Sequence, residues 1–305
     1  MYNNINSKIN YSVDIDEANS FTEDIKKKLP NIGGFCSKFK INNISLAASC
    51  DGCGTKLDIA NKYNILDNIG IDLVAMNVND LIAGGAKPLY FMDYIAIDKM
   101  NKEKCNKLIE SINYGCLLAN CKLIGGETAE MRDIYIKDKF DLAGFVIGET
   151  IYDIPRIDLI NKDCFIYGLK SNGPHSNGYT LIRDILAKIP EKNIDIDIIN
   201  QLLVPTKIYN EVLDICRDNQ EIILGIAHIT GGGFRDNIKR ILPEKYDFKL
   251  YNWKFPEIFK WIQRNSNLNR EEMLNIFNCG YGMVLITNTH LNITDIDNIG
   301  YIIEK

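Results

Sequence analysis

The chain has 305 residues, 46% of them hydrophobic and 25% charged, the make-up of a soluble globular protein with room for two domains. Lys plus Arg number 35 against 40 Asp plus Glu, and a net charge of -5 argues against a general nucleic-acid or membrane-surface binder, so no nucleic acid and no membrane is expected as partner. No segment is apolar over a bilayer thickness, the amino terminus lacks a signal-peptide core, and the nine cysteines suit reduced thiols in a cytoplasm.

Ala18 to Leu29 reads as a helix, broken at Ile32-Gly33-Gly34-Phe35. A strand from Ile44 to Ala48 ends in the loop Ser49-Cys50-Asp51-Gly52-Cys53-Gly54-Thr55-Lys56. Asp72 to Ile82 is apolar on most faces and reads as a buried helix. Strand Leu89 to Ile97 follows, then an amphipathic helix carrying Cys105, Leu108, Ile109, Ile112 and Cys116, a strand Lys122 to Ile124 running into Gly125-Gly126-Glu127, and a strand Phe140 to Ile147. Glu149 to Asp163 is poorly periodic and holds Pro155, so the domains are expected at 1–155 and 156–305. The second half opens with strand Cys164 to Leu169, the turn SNGPHSNG, and a helix marked by Leu181, Ile182, Ile185, Leu186 and Ile189. A helix near Ile208 to Cys216, strand Ile222 to Ala227, the loop His228 to Phe234, a helix through Ile238 and Leu242, another from Pro256 to Gln263, and strand Gly282 to Thr287 complete an α/β pattern.

Four glycine-rich loops each follow an apolar strand. In the first, Thr55 could donate to a phosphate, Lys56 neutralise it and Asp51 hold a hard cation, although the spacing is not that of a P-loop. Cys50 and Cys53 form a C-x-x-C, but zinc needs a second pair, and Cys116 and Cys121 are too widely spaced for one. Asn77 and Asp80 lie three apart on a buried helix, where an ionised Asp needs a partner or a metal. Glu127 and Glu130 follow two glycines and suit either a metal or a helix N-terminus. His175 and His228, two of only three histidines, stand beside glycines at strand ends. Ser176 or Asn177 could cap the helix that follows, and the triple glycine 231–233 before a helix is an anion-cradle candidate.

The ordered motifs DGCGTK, VNDLIAGGAKP, GGETAEM, SNGPHSNGYTLIR, AHITGGGFRDNIKR and FNCGYGM resemble the phosphoribosylformylglycinamidine cyclo-ligases, the aminoimidazole ribonucleotide synthetases of purine biosynthesis, from about Val13 to Gly282. The resemblance implies an α/β (α+β) enzyme whose N-terminal domain contributes strands to a barrel at a homodimer interface, with a C-terminal α/β domain packed against it. It implies ATP and magnesium as cofactors and formylglycinamidine ribonucleotide as substrate. Carried over, Asp51, Asp80 and Glu127 would hold magnesium; Gly33, Gly34, Asp51, Gly52, Gly54, Thr55, Lys56 and Asn79 would bind ATP phosphates. His175 and His228 would be the catalytic acid/base or electrostatic groups, and Asn177, Gly178, Gly231, Gly232 and Gly233 would hold substrate. The chain departs from the family in Cys53, where Val is usual, and Arg132, where Pro is usual. It stops soon after Ile302-Ile303, so a last strand is expected to be missing.

Overall fold

A computed structural model describes residues 15–29 and 33–305; Val13 and Ile32 lie outside them. In chain order the first half contains α1 (Ile15–Lys28), β1 (Ser37–Ile41), β2 (Ile44–Gly52), α2 (Lys56–Lys62), α3 (Ile69–Ala83), β3 (Ala86–Ile97), α4 (Lys102–Leu118), β4 (Lys122–Glu130) and β5 (Phe140–Thr150). The second contains β6 (Phe165–Lys170), α5 (Tyr179–Lys188), α6 (Ile196–Leu202), α7 (Glu211–Asp218), β7 (Ile223–His228), α8 (Gly233–Lys239), β8 (Tyr246–Leu250), α9 (Glu257–Ser266), α10 (Arg270–Ile276), β9 (Tyr281–Thr287) and β10 (Ile296–Glu304). The architecture is mixed α/β, with one five-stranded sheet in each half.

The first sheet runs β1-β2-β5-β3-β4 and is antiparallel except for β3-β4, the pair joined by α4. Side chains alternate along β3: Phe91, Asp93 and Ile95 are buried, while Tyr90, Met92 and Tyr94 are exposed. Residue 92 pairs with Phe145 of β5, also exposed, so the outer face is open and apolar. Among the described residues no barrel closes. The second sheet runs β7-β9-β6-β10-β8, antiparallel throughout. Helix α3 lies between the halves, packing on β2, β3 and β5 and also on β7. Its apolar residues at every turn, Leu73, Val74, Val78, Leu81 and Ile82, are all fully buried, as a helix covered on all sides requires.

Two expectations are corrected. Strand β2 continues through Asp51 to Gly52, which pairs with Ala143, so Asp51 belongs to the sheet and not to a loop. Strand β4 does not stop at Ile124 but runs to Glu130, because β3 offers a parallel ladder. The glycine there is required, since a Cβ at Gly126 would stand 2.3 Å from Asp93 Oδ1. The chain's last residues, Ile302 and Ile303 among them, belong to β10, which lies inside the second sheet between β6 and β8 with Ile299 and Ile302 buried. Among the described residues no helix is long and apolar enough to cross a membrane.

Candidate active site

Two clefts adjoin where β2 ends, and Cys50 lines both. One, of about 650 Å³, gathers Asp51, Gly52 and Gly54, Met76 of α3, the start of β5 from Asp141 to Ala143, and Ser176, Asn177, Thr230 and Gly231 from the second half. The other, of about 940 Å³, is lined by Gly33, Gly34, Asp80 and the basic pair Lys239 and Arg240. Both lie in the size range of small-molecule sites. The Arg240 guanidinium stacks over the Phe35 ring at 4.7 Å, and Lys239 pairs with Asp247 at 3.2 Å. These two bases, with Thr230 and Asp141, were missed in the sequence. The run FRDNIKR placed the bases one helix beyond the triple glycine, which was the available signal.

Asp51 accepts the Gly52 amide at 2.7 Å, and its carboxyl is pushed up to about 6, first by burial and then by the charge of Asp80. A buried carboxyl raised by the charge of a second carboxylate is a setting a divalent cation relieves. Glu127 is not with them. Opposite Tyr94 in the β3-β4 ladder, on an exposed stretch of β4, it bonds its own neighbour's amide, Thr128, at 2.9 Å. Among the described residues no three His, Cys, Asp or Glu side chains converge as a metal set, so the expected trio is not assembled within one chain.

The polar residues of α3 take other work than expected. Asn77 donates to the Asp51 carbonyl at 3.2 Å and to Leu73 at 2.9 Å, so it braces β2 instead of sharing a metal with Asp80. Asn79, expected on ATP, bridges the halves: Nδ2 donates to the Lys207 carbonyl at 2.8 Å and Oδ1 accepts the Tyr209 amide at 3.0 Å. Both ends of the amide are spent. Lys56, expected on phosphate, is fully buried and bonded to Asp72 at 2.8 Å. Thr55 precedes α2 without capping it.

Both histidines are fully buried, and neither ring lines a cleft. His228 Nδ1 lies 2.9 Å from Asp80 Oδ1; a carboxylate only accepts, so that nitrogen carries the proton. Nε2 is then an acceptor, with Asn79 Nδ2 3.5 Å away. His175 adopts φ 63°, and neither ring nitrogen has a protein partner. Each ring adjoins a cleft through a neighbour: His228 through Asp80, which lines the second, and His175 through Ser176 and Asn177, which line the first. Ser176 caps nothing, because its hydroxyl is drawn to Asp72 at 3.0 Å, and Gly178 in a left-handed conformation starts α5. Asn177 and Gly231 do line the first cleft. The triple glycine makes a poor anion cradle, since a Cβ at Gly232 would meet Asp236 Oδ2 at 2.2 Å and so an acid already covers the start of α8. Cys53 is buried and Cys50 exposed, and all nine cysteines are free.

Burial, followed by the charges of His228, Lys56 and Lys207, holds His175 well below its usual 6.5. The unfolded chain takes a proton there below about 6.5 while the native chain does not. Stability from this group is therefore full above that pH and lost as pH falls below it, by about 1.4 kcal/mol per unit. His175→Asn tolerates the left-handed backbone and does not titrate; it is expected to flatten this slope in denaturant melts between pH 6.5 and 5.

Two half-domains, each a sheet with helices, meet around these paired clefts, and the class they belong to is that of the AIR synthase related proteins: that family's N-terminal domain matches residues 35–150 and its C-terminal domain residues 161–293. A curated relative from Syntrophus aciditrophicus, named phosphoribosylformylglycinamidine cyclo-ligase, is 44% identical over 90% of this chain and 86% of its own length. A chloroplastic one from Arabidopsis thaliana is 41% identical over 90% of this chain and 73% of its own. The chain belongs to the phosphoribosylformylglycinamidine cyclo-ligase family. Its fold is shared with thiamine monophosphate kinase from Aquifex aeolicus, with a TM-score of 0.71 at 16% identity over 96% of each chain. It is shared also with the hydrogenase maturation protein HypE, solved in complex with ATP, with a TM-score of 0.61 at 14% identity over 87% of this chain and 78% of that one.

Proposed function

We propose that the protein closes the imidazole ring of aminoimidazole ribonucleotide. The γ-phosphoryl of ATP passes to the formyl amide oxygen of formylglycinamidine ribonucleotide, leaving ADP. The amidine nitrogen then bonds to that carbon, the C–O bond breaks to release phosphate, and a proton is lost. Ring closure is intramolecular, so orientation and charge neutralisation carry most of the task. The observation that carries this reading is a pair of adjoining clefts, one acidic and polar, the other bringing two bases beside two acids, on a chain 44% identical to a named cyclo-ligase.

In this reading Gly33, Gly34, Lys239 and Arg240 receive the polyphosphate, and Asp51 and Asp80 would hold magnesium, which screens phosphate charge when bound. Gly52 and Gly54 line the first cleft, and Thr55 follows them in the chain. Asn177 and Gly231 orient substrate, Gly178 and Gly232 shape the two turns, and Gly233 sets α8. His228 orients the Asp80 carboxylate, and His175 sets the turn that presents Asn177. We place the domain limits at 1–155 and 156–305 and the protein in the cytoplasm, a reading that its nine free thiols support.

The exposed row Tyr90, Met92, Tyr94 and Phe145 supports a homodimer joined through the first sheet, with Glu127 inside the interface. Sedimentation at twice the chain mass is expected, and Phe145→Glu is expected to shift it to the monomer.

The test is incubation of the purified protein with magnesium, ATP and formylglycinamidine ribonucleotide. ADP and aminoimidazole ribonucleotide are expected in equal amounts, with loss of both in Asn177→Ala. ATP binding with no imidazole product would overturn the assignment.

A further inference from the structure

Lys56 was expected on phosphate, yet it is the most completely satisfied cation among the described side chains. An ammonium has three protons. The Lys56 Nζ sits 2.8 Å from Asp72 Oδ1, 2.9 Å from the carbonyl oxygen of His175 and 2.8 Å from that of Val204, with no exposed surface. No donor is left for a ligand.

Asp72 is held from the other side through one oxygen, its Oδ2 being buried without a partner. Its Oδ1 accepts from Lys56, from the Ser176 hydroxyl at 3.0 Å, and from the Thr206 amide at 2.8 Å and hydroxyl at 2.5 Å. Lys56 begins α2 and Asp72 lies in the first turn of α3, both in the first half; His175, Ser176, Val204 and Thr206 all belong to the second. Two side chains of one half thus grip two segments of the other, one being the turn whose next residue, Asn177, lines the cleft.

The turn needs such a grip. His175 is a non-glycine residue at φ 63°, a conformation that persists only where its surroundings fix it. Here the Lys56 ammonium holds its carbonyl and Asp72 holds the next side chain.

We propose that Lys56 and Asp72 are a positioning pair: a buried ionic joint between the halves that sets the His175–Asn177 turn, and with it substrate orientation, without touching ATP. The activity arm rests on the cyclo-ligase reading; the spectroscopic arm does not.

The test uses the full chain as Lys56→Met and as the double variant Lys56→Met/Asp72→Asn. The single variant strands a buried carboxylate and is expected to melt lower. The double variant removes both charges while keeping an acceptor for Thr206 and Ser176, and is expected to regain most of the wild-type melting temperature. Its kcat is nonetheless expected to stay down on the order of 10²-fold, the cost of a misplaced reacting group, while its Kd for magnesium-ATP stays within about twofold of wild type by the same argument. The His175 ring resonances, set by the edge of the Tyr209 ring at 6.1 Å, are expected to shift in the double variant. A double variant with wild-type kcat and unmoved His175 resonances would overturn the proposal. So would a tenfold weaker magnesium-ATP Kd with kcat intact at saturating ATP, which would return Lys56 to the phosphates. If wild type makes no imidazole product, the cyclo-ligase reading fails while the resonance shift still decides the joint.

Discussion

Gly282→Ala is expected to lower kcat on the order of 10²-fold while the two sheets stay folded. Gly282 lies in β9 directly beneath the two buried rings at the junction of the halves. An added Cβ would stand 2.3 Å from His175 Cε1 and 2.4 Å from the Tyr209 hydroxyl. Neither ring has room to yield, because both are fully buried and the Tyr209 hydroxyl is tied to the Lys170 carbonyl at 3.1 Å. Overpacking of this kind costs about 1–3 kcal/mol, within what a protein of this size withstands. The larger effect falls on geometry. His175 must move, and Asn177 two residues on moves with it. Steady-state kinetics and a thermal melt on the same preparation separate the two effects. Adding Tyr209→Phe removes one of the two clashes and is expected to return part of the lost turnover. Wild-type kcat in Gly282→Ala would show that the position of the His175 turn does not govern the reaction.

That dependence on a glycine far along the chain marks what the sequence could and could not carry. The helix from Asp72 to Ile82, the strand from Leu89 to Ile97 and the strand before SNGPHSNG were legible because apolar patterning is local, and the structure contains each of them. Strands β1, β8 and β10 and helices α2, α6 and α10 were not read, although Asn269 and Glu272 form a capping box that announces α10. Residues 122–130 read as strand then turn because glycines interrupt strands in isolation. Only the partner strand, with Asp93 above Gly126, explains why glycine belongs there. Asp51, Asn177 and Gly231, which the motifs single out separately, line one cleft. The motifs failed for Lys56 and Asn79 because a charged or amide side chain beside a glycine loop looks alike whether it faces a ligand or another segment of its own chain. Asp72, Val204 and Thr206, which decide that question for Lys56, lie 16, 148 and 150 residues away in sequence.

Asp80→Asn is expected to be the most damaging isosteric change in the site, lowering kcat by about 10²–10⁴-fold. Asp80 is the member of the Asp80–His228 pair that lines the second cleft, where Asp236, Lys239 and Arg240 also lie. The neutral amide keeps the shape, but it no longer commands the proton on His228 Nδ1, so the ring can turn or change tautomer. It also removes one of the two carboxylates whose proximity raises Asp51 to about 6. The Asp51 carboxyl is then expected to titrate lower, because the second cause of its upward shift is gone while burial remains. His228→Gln separates the two roles of the pair. If His228 acts through Asp80, the glutamine variant, still able to donate to that carboxylate, retains much more turnover than Asp80→Asn. If the imidazole itself moves a proton in the reaction, both variants lose turnover alike and the limb of the kcat–pH profile that belongs to the histidine disappears in His228→Gln. Magnesium-ATP binding adds the remaining distinction. A carboxylate that serves the cation weakens that binding when it is neutralised, whereas one that serves only the histidine leaves binding intact and lowers kcat alone.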